Sequence, residues 1–172
     1  MGYAVEMFVR DSESHPIREL FVASGSVLAK IGTSPHVSLA VFQEVDVNKL
    51  TEIVERFAAE TAQLTLRFSS LGIFPGTQNA VFLAPVVTTG LLHLHEALHN
   101  HLSEAGVSSD TRYQPGSWVP HCAITVEEAL ERSLKTLRLA HDCNLLGEYA
   151  IEQIGIVRYR PVERVKTFKL TG

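Results

Sequence analysis

The chain has 172 residues, 45% of them hydrophobic and 20% charged, so it can form one globular domain or two small lobes that share a cleft. Its formal net charge of −4 argues against a surface for extended nucleic acid, because such surfaces are strongly basic. No secretory signal is recognisable, and no apolar run approaches the roughly 20 residues that a membrane-spanning helix needs. With only two cysteines, Cys122 and Cys143, the sequence favours a cytoplasmic location. A short nucleotide or RNA end held in a local pocket is therefore the expected partner, and the oligomeric state stays open.

Hydrophobic periodicity predicts alternating strands and helices. In chain order, the first half is predicted to contain strand Tyr3–Val9, helix Ile17–Ile31, strand His36–Phe42, helix Asn48–Thr61, and strands Gln63–Phe74 and Asn79–Pro85. The second half is predicted to contain helix Leu91–Ala105, strand His121–Thr125, helix Glu128–Ala140, and strands Glu148–Arg158 and Arg164–Leu170.

The same unit occurs twice in this order. Each copy begins with Pro-His on a strand, passes through a helix and returns in two strands. Three pairs of positions match at nearly constant separation along the chain: His36 with His121, Gly72 with Gly155, and Phe82 with Phe168. This duplication predicts a pseudo-twofold α+β fold in one domain over residues 1–172, with repeat units at about 35–86 and 120–171.

The two Pro-His strands carry the candidate chemistry. Side chains alternate along a strand, so His36 shares a face with Ser38, and His121 shares a face with Ala123 and Thr125. A pseudo-twofold axis would turn both imidazoles toward one cavity. There, a neutral ring can take a proton from water or a hydroxyl, while an imidazolium gives a proton to the departing oxygen of a phosphate ester. His36 and His121 are the predicted catalytic residues, and the Ser38 hydroxyl is a predicted phosphate donor.

Two four-residue motifs contain these histidines. His36-Val37-Ser38-Leu39 matches the pattern His-x-Thr/Ser-hydrophobic in full, whereas His121-Cys122-Ala123-Ile124 has alanine in place of the hydroxyl. The chain from about Pro35 to Leu170 thereby resembles the 2H phosphoesterase superfamily, which includes 2′-5′ RNA ligases and 2′,3′-cyclic nucleotide phosphodiesterases. The resemblance implies a bilobal fold in which two antiparallel sheets flank a central cleft. It also implies substrates derived from RNA and catalysis without metal or cofactor.

Ala123 leaves two functions open on the second side of the cleft. Thr125 is the predicted substitute as a substrate-binding hydroxyl, and Trp118, in the preceding loop, is predicted to stack on a base. Because the second motif lacks a donor for the phosphate, the sequence also permits a protein that binds a nucleotide without turnover. The base preference, the choice between hydrolysis and ligation, the ester bond that breaks and the histidine that acts as base stay open.

A second motif lies on the third predicted helix. His95-Glu96-Ala97-Leu98-His99 spells the zinc-peptidase pattern, in which two histidines bind Zn²⁺ and the glutamate activates water. We favour an amphipathic surface helix, because no third ligand follows at a characteristic spacing and the motif lies outside the repeated strands. A zinc peptidase is kept as the minor alternative.

Basic residues alternate near the C-terminus, and we interpret them as the solvated face of a strand. They are Arg158, Arg160, Arg164, Lys166 and Lys169.

Overall fold

In the computed structural model, which describes residues 2–76, 79–126 and 128–172, seven strands form one antiparallel sheet. The strands are β1 (Gly2–Val9), β2 (His36–Phe42), β3 (Leu64–Ile73), β4 (Val81–Pro85), β5 (Cys122–Ala123), β6 (Gly147–Tyr159) and β7 (Glu163–Lys169). The helices are α1 (His15–Ala23), α2 (Val27–Lys30), α3 (Val47–Glu60), α4 (Thr89–Glu104) and α5 (Leu130–Asp142), with a 3₁₀ turn at Thr111–Tyr113.

The strand order confirms the predicted α+β duplication. It runs β2-β1-β6-β3-β4-β5, with β7 paired to β6, so the strand that begins with His36 and the strand that follows His121 stand at the two ends of the order. Pairing of Leu64–Phe68 with Gly147–Ile151 joins the two predicted sheets into one. In the sheet, β4 lies beside β5 as β1 lies beside β2, so β4 corresponds to β1 by position. In chain order, β4 is the last strand of the first repeat and corresponds to β7, the last strand of the second.

One face of the sheet forms the hydrophobic core with the helices. Val5 and Met7 on β1 and Val37 and Leu39 on β2 are completely buried in one cluster with residues of α1, α3 and α4. Because strand side chains alternate, the residues next to these in each strand, including His36, point to the opposite face. The apolar alternation thus directs the polar side chains of β1 and β2 to the face that carries the candidate site.

Two predicted elements differ from the structure. The predicted helix Ile17–Ile31 is split into α1 and α2 at Gly25, whose φ of +66° favours glycine. The predicted strand His121–Thr125 is reduced to Cys122–Ala123, because the amides of Ile124 and Thr125 both donate to the carbonyl of Val81 and leave the ladder.

Among the described residues, no helix has both the length and the apolar character required to cross a bilayer.

Candidate functional site

The two predicted catalytic histidines are held by the same backbone contact. Nδ1 of His36 lies 2.7 Å from the carbonyl oxygen of Ser34, and Nδ1 of His121 lies 2.8 Å from that of Val119. A carbonyl oxygen only accepts, so in both rings Nδ1 carries the hydrogen that is donated. Each neutral ring therefore has its basic lone pair on Nε2, which is the nitrogen available for proton transfer.

The histidines open onto two adjoining cavities. A cavity of about 490 Å³ is lined by His36 and Ser38, and a cavity of about 400 Å³ is lined by His121 and Ala123. Val126 lines both. The structure thus brings four of the five predicted site residues, His36, His121, Ser38 and Trp118, to one cleft.

His36 has polar surroundings. Glu6 on β1 is only 7% exposed, and its Oε1 lies 3.3 Å from Nε2 of His36. Burial raises the pKa of Glu6, while the positive charges of His36 and Arg164 lower it. Arg164 donates to the hydroxyl of Ser34 and lies 4.3 Å from the ring centroid of Phe8. This half of the cleft therefore combines a histidine, a carboxyl group and a guanidinium.

His121 has aromatic surroundings. Its ring meets Phe74 and Phe82 edge-on, at centroid distances of 4.8 and 5.5 Å. Burial lowers the pKa of His121, the hydrogen bond to Val119 raises it, and the positive charge of His36 lowers it further. These surroundings favour the neutral imidazole.

Thr125 does not reach the cleft, contrary to the sequence prediction. It is fully buried, and its Oγ1 accepts a hydrogen bond of 3.2 Å from the amide of Val81. The alternation rule fails here because the chain leaves the strand after Ala123.

Trp118 lines the cavity of His121, but one face of its indole is already covered by another ring. The indole lies flat on the ring of His95, with a centroid distance of 4.0 Å and an angle of 1°. Its Nε1–H donates to the carbonyl of Ser38 at 2.9 Å. Stacking of a base on Trp118 stays a prediction, and it would use the indole face opposite His95.

The zinc-like motif on α4 has structural contacts instead. His95 is 2% exposed, and its Nε2 lies 3.0 Å from the carbonyl of Leu39 and 2.9 Å from that of Tyr113. Nε2 of His99 lies 3.3 Å from the same Leu39 carbonyl. Burial lowers the pKa of His95 to about 4. In residues 2–76, 79–126 and 128–172, no three histidine, cysteine or acidic side chains are grouped to hold a metal ion. Through these hydrogen bonds the motif joins β2 to the segment that precedes His121.

Sequence reasoning missed several residues that line the two cavities. One feature of the sequence could have identified Glu6, because it is the single charged residue in the otherwise apolar strand β1. The basic residues near the C-terminus were interpreted as a solvated face, yet two of them line the cavity of His36. The missed lining residues include Glu6, Arg160 and Arg164 beside His36, and Arg112 beside His121.

A comparison with protein families gives one match that spans most of the chain. The model of the 2′-5′ RNA ligase superfamily matches residues 28–163, a range that contains both histidine motifs. No curated protein matches the chain.

Solved structures with the same fold cover nearly the whole chain. TT0787 of Thermus thermophilus is 20% identical with a TM-score of 0.65, over 100% of this chain and 99% of that one. E. coli LigT complexed with NADP+ is 16% identical with a TM-score of 0.64, over 99% and 97%. Usb1 of Kluyveromyces marxianus is 14% identical with a TM-score of 0.53, over 95% and 97%. LigT has also been solved with 3′-AMP and with ATP. At these identities the likeness shows the fold.

Proposed function

The chain belongs to the 2′-5′ RNA ligase superfamily, and from this premise we propose that it is a cytoplasmic, metal-independent phosphoesterase. Its substrates are 2′,3′-cyclic phosphates or 2′-5′ phosphodiester linkages of nucleotides or RNA ends. The observation that carries this proposal is the matched pair of histidines, each held through Nδ1 by a carbonyl and each facing one of two adjoining cavities.

Hydrolysis of a cyclic phosphate needs two proton transfers. A neutral imidazole takes a proton from water through Nε2, and the water oxygen forms a bond to phosphorus. The bond between phosphorus and one ribose oxygen breaks, and the imidazolium of the other histidine gives its proton to that oxygen. The same transfers serve a 2′-5′ linkage when a ribose hydroxyl replaces water as the nucleophile.

The remaining cleft residues suit a phosphate substrate. The Ser38 hydroxyl is a donor for a nonbridging oxygen, and Arg160 and Arg164 supply positive charge in a protein whose net charge is −4. This positive charge is local, which suits a short ligand. The nucleotides bound by E. coli LigT support a nucleotide in this cleft.

One observation favours a second candidate, a protein that binds nucleotides without turnover. Ala123 lines the cavity of His121 without a hydroxyl, and Thr125 has its hydroxyl directed to the backbone of Val81. The second half of the cleft therefore lacks the donor that Ser38 supplies to the first half.

Hydrolysis of 2′,3′-cyclic AMP in EDTA tests the proposed function. His36→Ala and His121→Ala should each lower kcat by about 10²–10⁴, the contribution of a positioned acid or base. His93→Ala is the matched control, since this exposed histidine of α4 lies outside both cavities.

Turnover that survives both cleft substitutions would contradict the two-histidine mechanism. Turnover that EDTA abolishes would contradict metal independence. Calorimetric binding of 3′-AMP without any turnover of cyclic or 2′-5′ substrates would favour the second candidate.

A further inference from the structure

Helix α5 turns small side chains toward the protein and leucines toward solvent. Leu130 is 49% exposed and Leu134 is 48% exposed, while Leu137 is half-buried. The buried residues of this helix are Ser133, Thr136 and Ala140. A surface helix normally packs its apolar stripe against the core of its own domain. The reversed pattern of α5 therefore leaves a leucine stripe that the fold itself does not cover.

The spacing of this stripe is that of one half of a coiled-coil interface. Its four members are separated by four, three and four residues, which is the a/d repeat of two packed helices. They are Leu130 and Leu137 at d positions and Leu134 and His141 at a positions. A surface groove of about 480 Å³ lies on the same side of the helix, lined by Leu134, Leu137, Arg138, His141 and Asp142. We call the four a and d residues the α5 seam.

The charges beside the α5 seam favour one orientation of a second helix. Glu131 and Arg138 both occupy e positions of the repeat. In an antiparallel pair, e positions face e positions, so Glu131 meets the partner's Arg138 and Arg138 meets the partner's Glu131. In a parallel pair, they would face the g positions, which are Ser133 and Ala140 and are buried within the protomer. Charge complementarity therefore selects an antiparallel second copy.

Both charges are available for contacts between copies. In the described part of the chain, neither Glu131 nor Arg138 forms an ion pair, whereas the neighbouring Arg132 pairs with Glu128 at 3.2 Å. Both side chains are exposed. One two-fold axis across the seam forms both pairs at once, because each copy supplies one acid and one base. A patch that complements itself in this way suits an isologous dimer.

We propose that the α5 seam is an interface for a second copy of this chain, in a two-fold dimer with the two α5 helices antiparallel. Leu134 packs on the partner's Leu137 in the two central layers, and Leu130 meets the partner's His141 in the outer layers. The 13-residue helix is about 20 Å long, so the pair buries less than the roughly 800 Å² per partner of a standard interface. The dimer should therefore be weak and depend on concentration. The seam residues line neither cleft cavity, so this inference does not rest on the proposed function.

Analytical ultracentrifugation over a concentration series tests the interface. The wild-type mass should rise with concentration from the monomer value of 19.0 kDa toward twice that value. Leu134→Glu, which places a charge in both central layers, should stay monomeric at every concentration. Val22→Glu is the matched control and should associate like the wild type, because it changes an α1 side chain that is 71% exposed. Circular dichroism should give the wild-type spectrum for both variants, since both positions are exposed.

Charge reversal tests the antiparallel pairing itself. In Glu131→Arg alone, or in Arg138→Glu alone, both e–e contacts become repulsive, and the association constant should fall about tenfold. An equimolar mixture of these two variants should associate more tightly than either variant alone, because one protomer then carries two arginines and the other two glutamates.

Two results would overturn the dimer. One is a wild type that stays monomeric over the whole series, and the other is a Leu134→Glu variant that still dimerises. A mixture that associates no more tightly than the single variants would overturn the antiparallel pairing of Glu131 with Arg138.

Discussion

The two halves of the cleft share a backbone arrangement and differ in side-chain chemistry. In each half, Nδ1 of a histidine donates to the carbonyl two residues before it. The His36 half adds the hydroxyl of Ser38 and the carboxyl of Glu6, whereas the His121 half has Ala123 and Phe82 at the corresponding places. A duplicated frame can therefore present the same ring twice and still give the two rings different electrostatic surroundings.

Replacing the hydroxyl of the His36 half should give the largest effect among the changes that follow. Ser38→Ala removes the donor for a nonbridging oxygen, and we expect kcat for a 2′,3′-cyclic nucleotide to fall about 10²–10³-fold. Ser70→Ala, an exposed serine of β3, is the control and should leave kcat unchanged. Equal activity of the two variants would remove Ser38 from the mechanism.

The two glycines should differ when each is given a side chain. A Cβ at Gly155 would lie 2.8 Å from the carbonyl oxygen of Lys166, and this backbone atom cannot move without disturbing the β6–β7 ladder. Gly155→Ala should therefore lower the free energy of unfolding by about 1–3 kcal/mol in urea titrations.

At Gly72 the obstacle is the Phe82 ring, which can rotate away. Gly72→Ala should cost less stability than Gly155→Ala but lower kcat, because the ring also contacts His121. Comparable stability losses in both variants would show that the two glycines are equally constrained.

Adding the missing hydroxyl to the His121 half should raise activity. Ala123→Ser completes the second motif, and one hydrogen bond to a charged phosphate oxygen corresponds to about a tenfold gain in kcat/KM. Steady-state kinetics of Ala123→Ser and of Ala123→Val, which adds volume without a donor, separate the effect of the hydrogen bond from the effect of added volume. A gain in both variants, or in neither, would contradict a donor role at this position.

The expected effect with the least influence on turnover concerns His95, which joins the halves through Leu39 and Tyr113. Its pKa in the folded protein is lowered from 6.5 to about 4, so between these values the unfolded chain binds a proton that the folded chain does not. Folding stability should therefore fall as the pH drops from 6.5 to 4. Thermal unfolding of His95→Gln should show a weaker fall over this window, and an identical pH dependence would contradict the account.

The sequence predicted the parts of the site that follow strand alternation. His36 and Ser38 lie two residues apart on a regular strand, so their common face could be predicted from the motif. The prediction for Thr125 failed because β5 is only two residues long, and nothing in the local sequence indicates that the chain leaves the ladder after Ala123.

Residues distant in the chain were beyond the reach of motif reasoning. Glu6 approaches His36 only through the β1–β2 register, and Arg164 through the β6–β7 hairpin. Helix Ile17–Ile31 was predicted as continuous because its apolar pattern continues through Gly25, although Ser24-Gly25-Ser26 is a typical helix-ending sequence.

The complementary acid and base roles are tested most directly by the pH dependence of kcat/KM in EDTA. It is measured for the wild type and for the residual activity of His36→Ala and His121→Ala. The account predicts a bell-shaped profile for the wild type, and loss of one limb in His36→Ala and of the opposite limb in His121→Ala. A wild-type profile that is flat from about pH 5 to 9, the range over which both forms of a histidine pair must change, would contradict it.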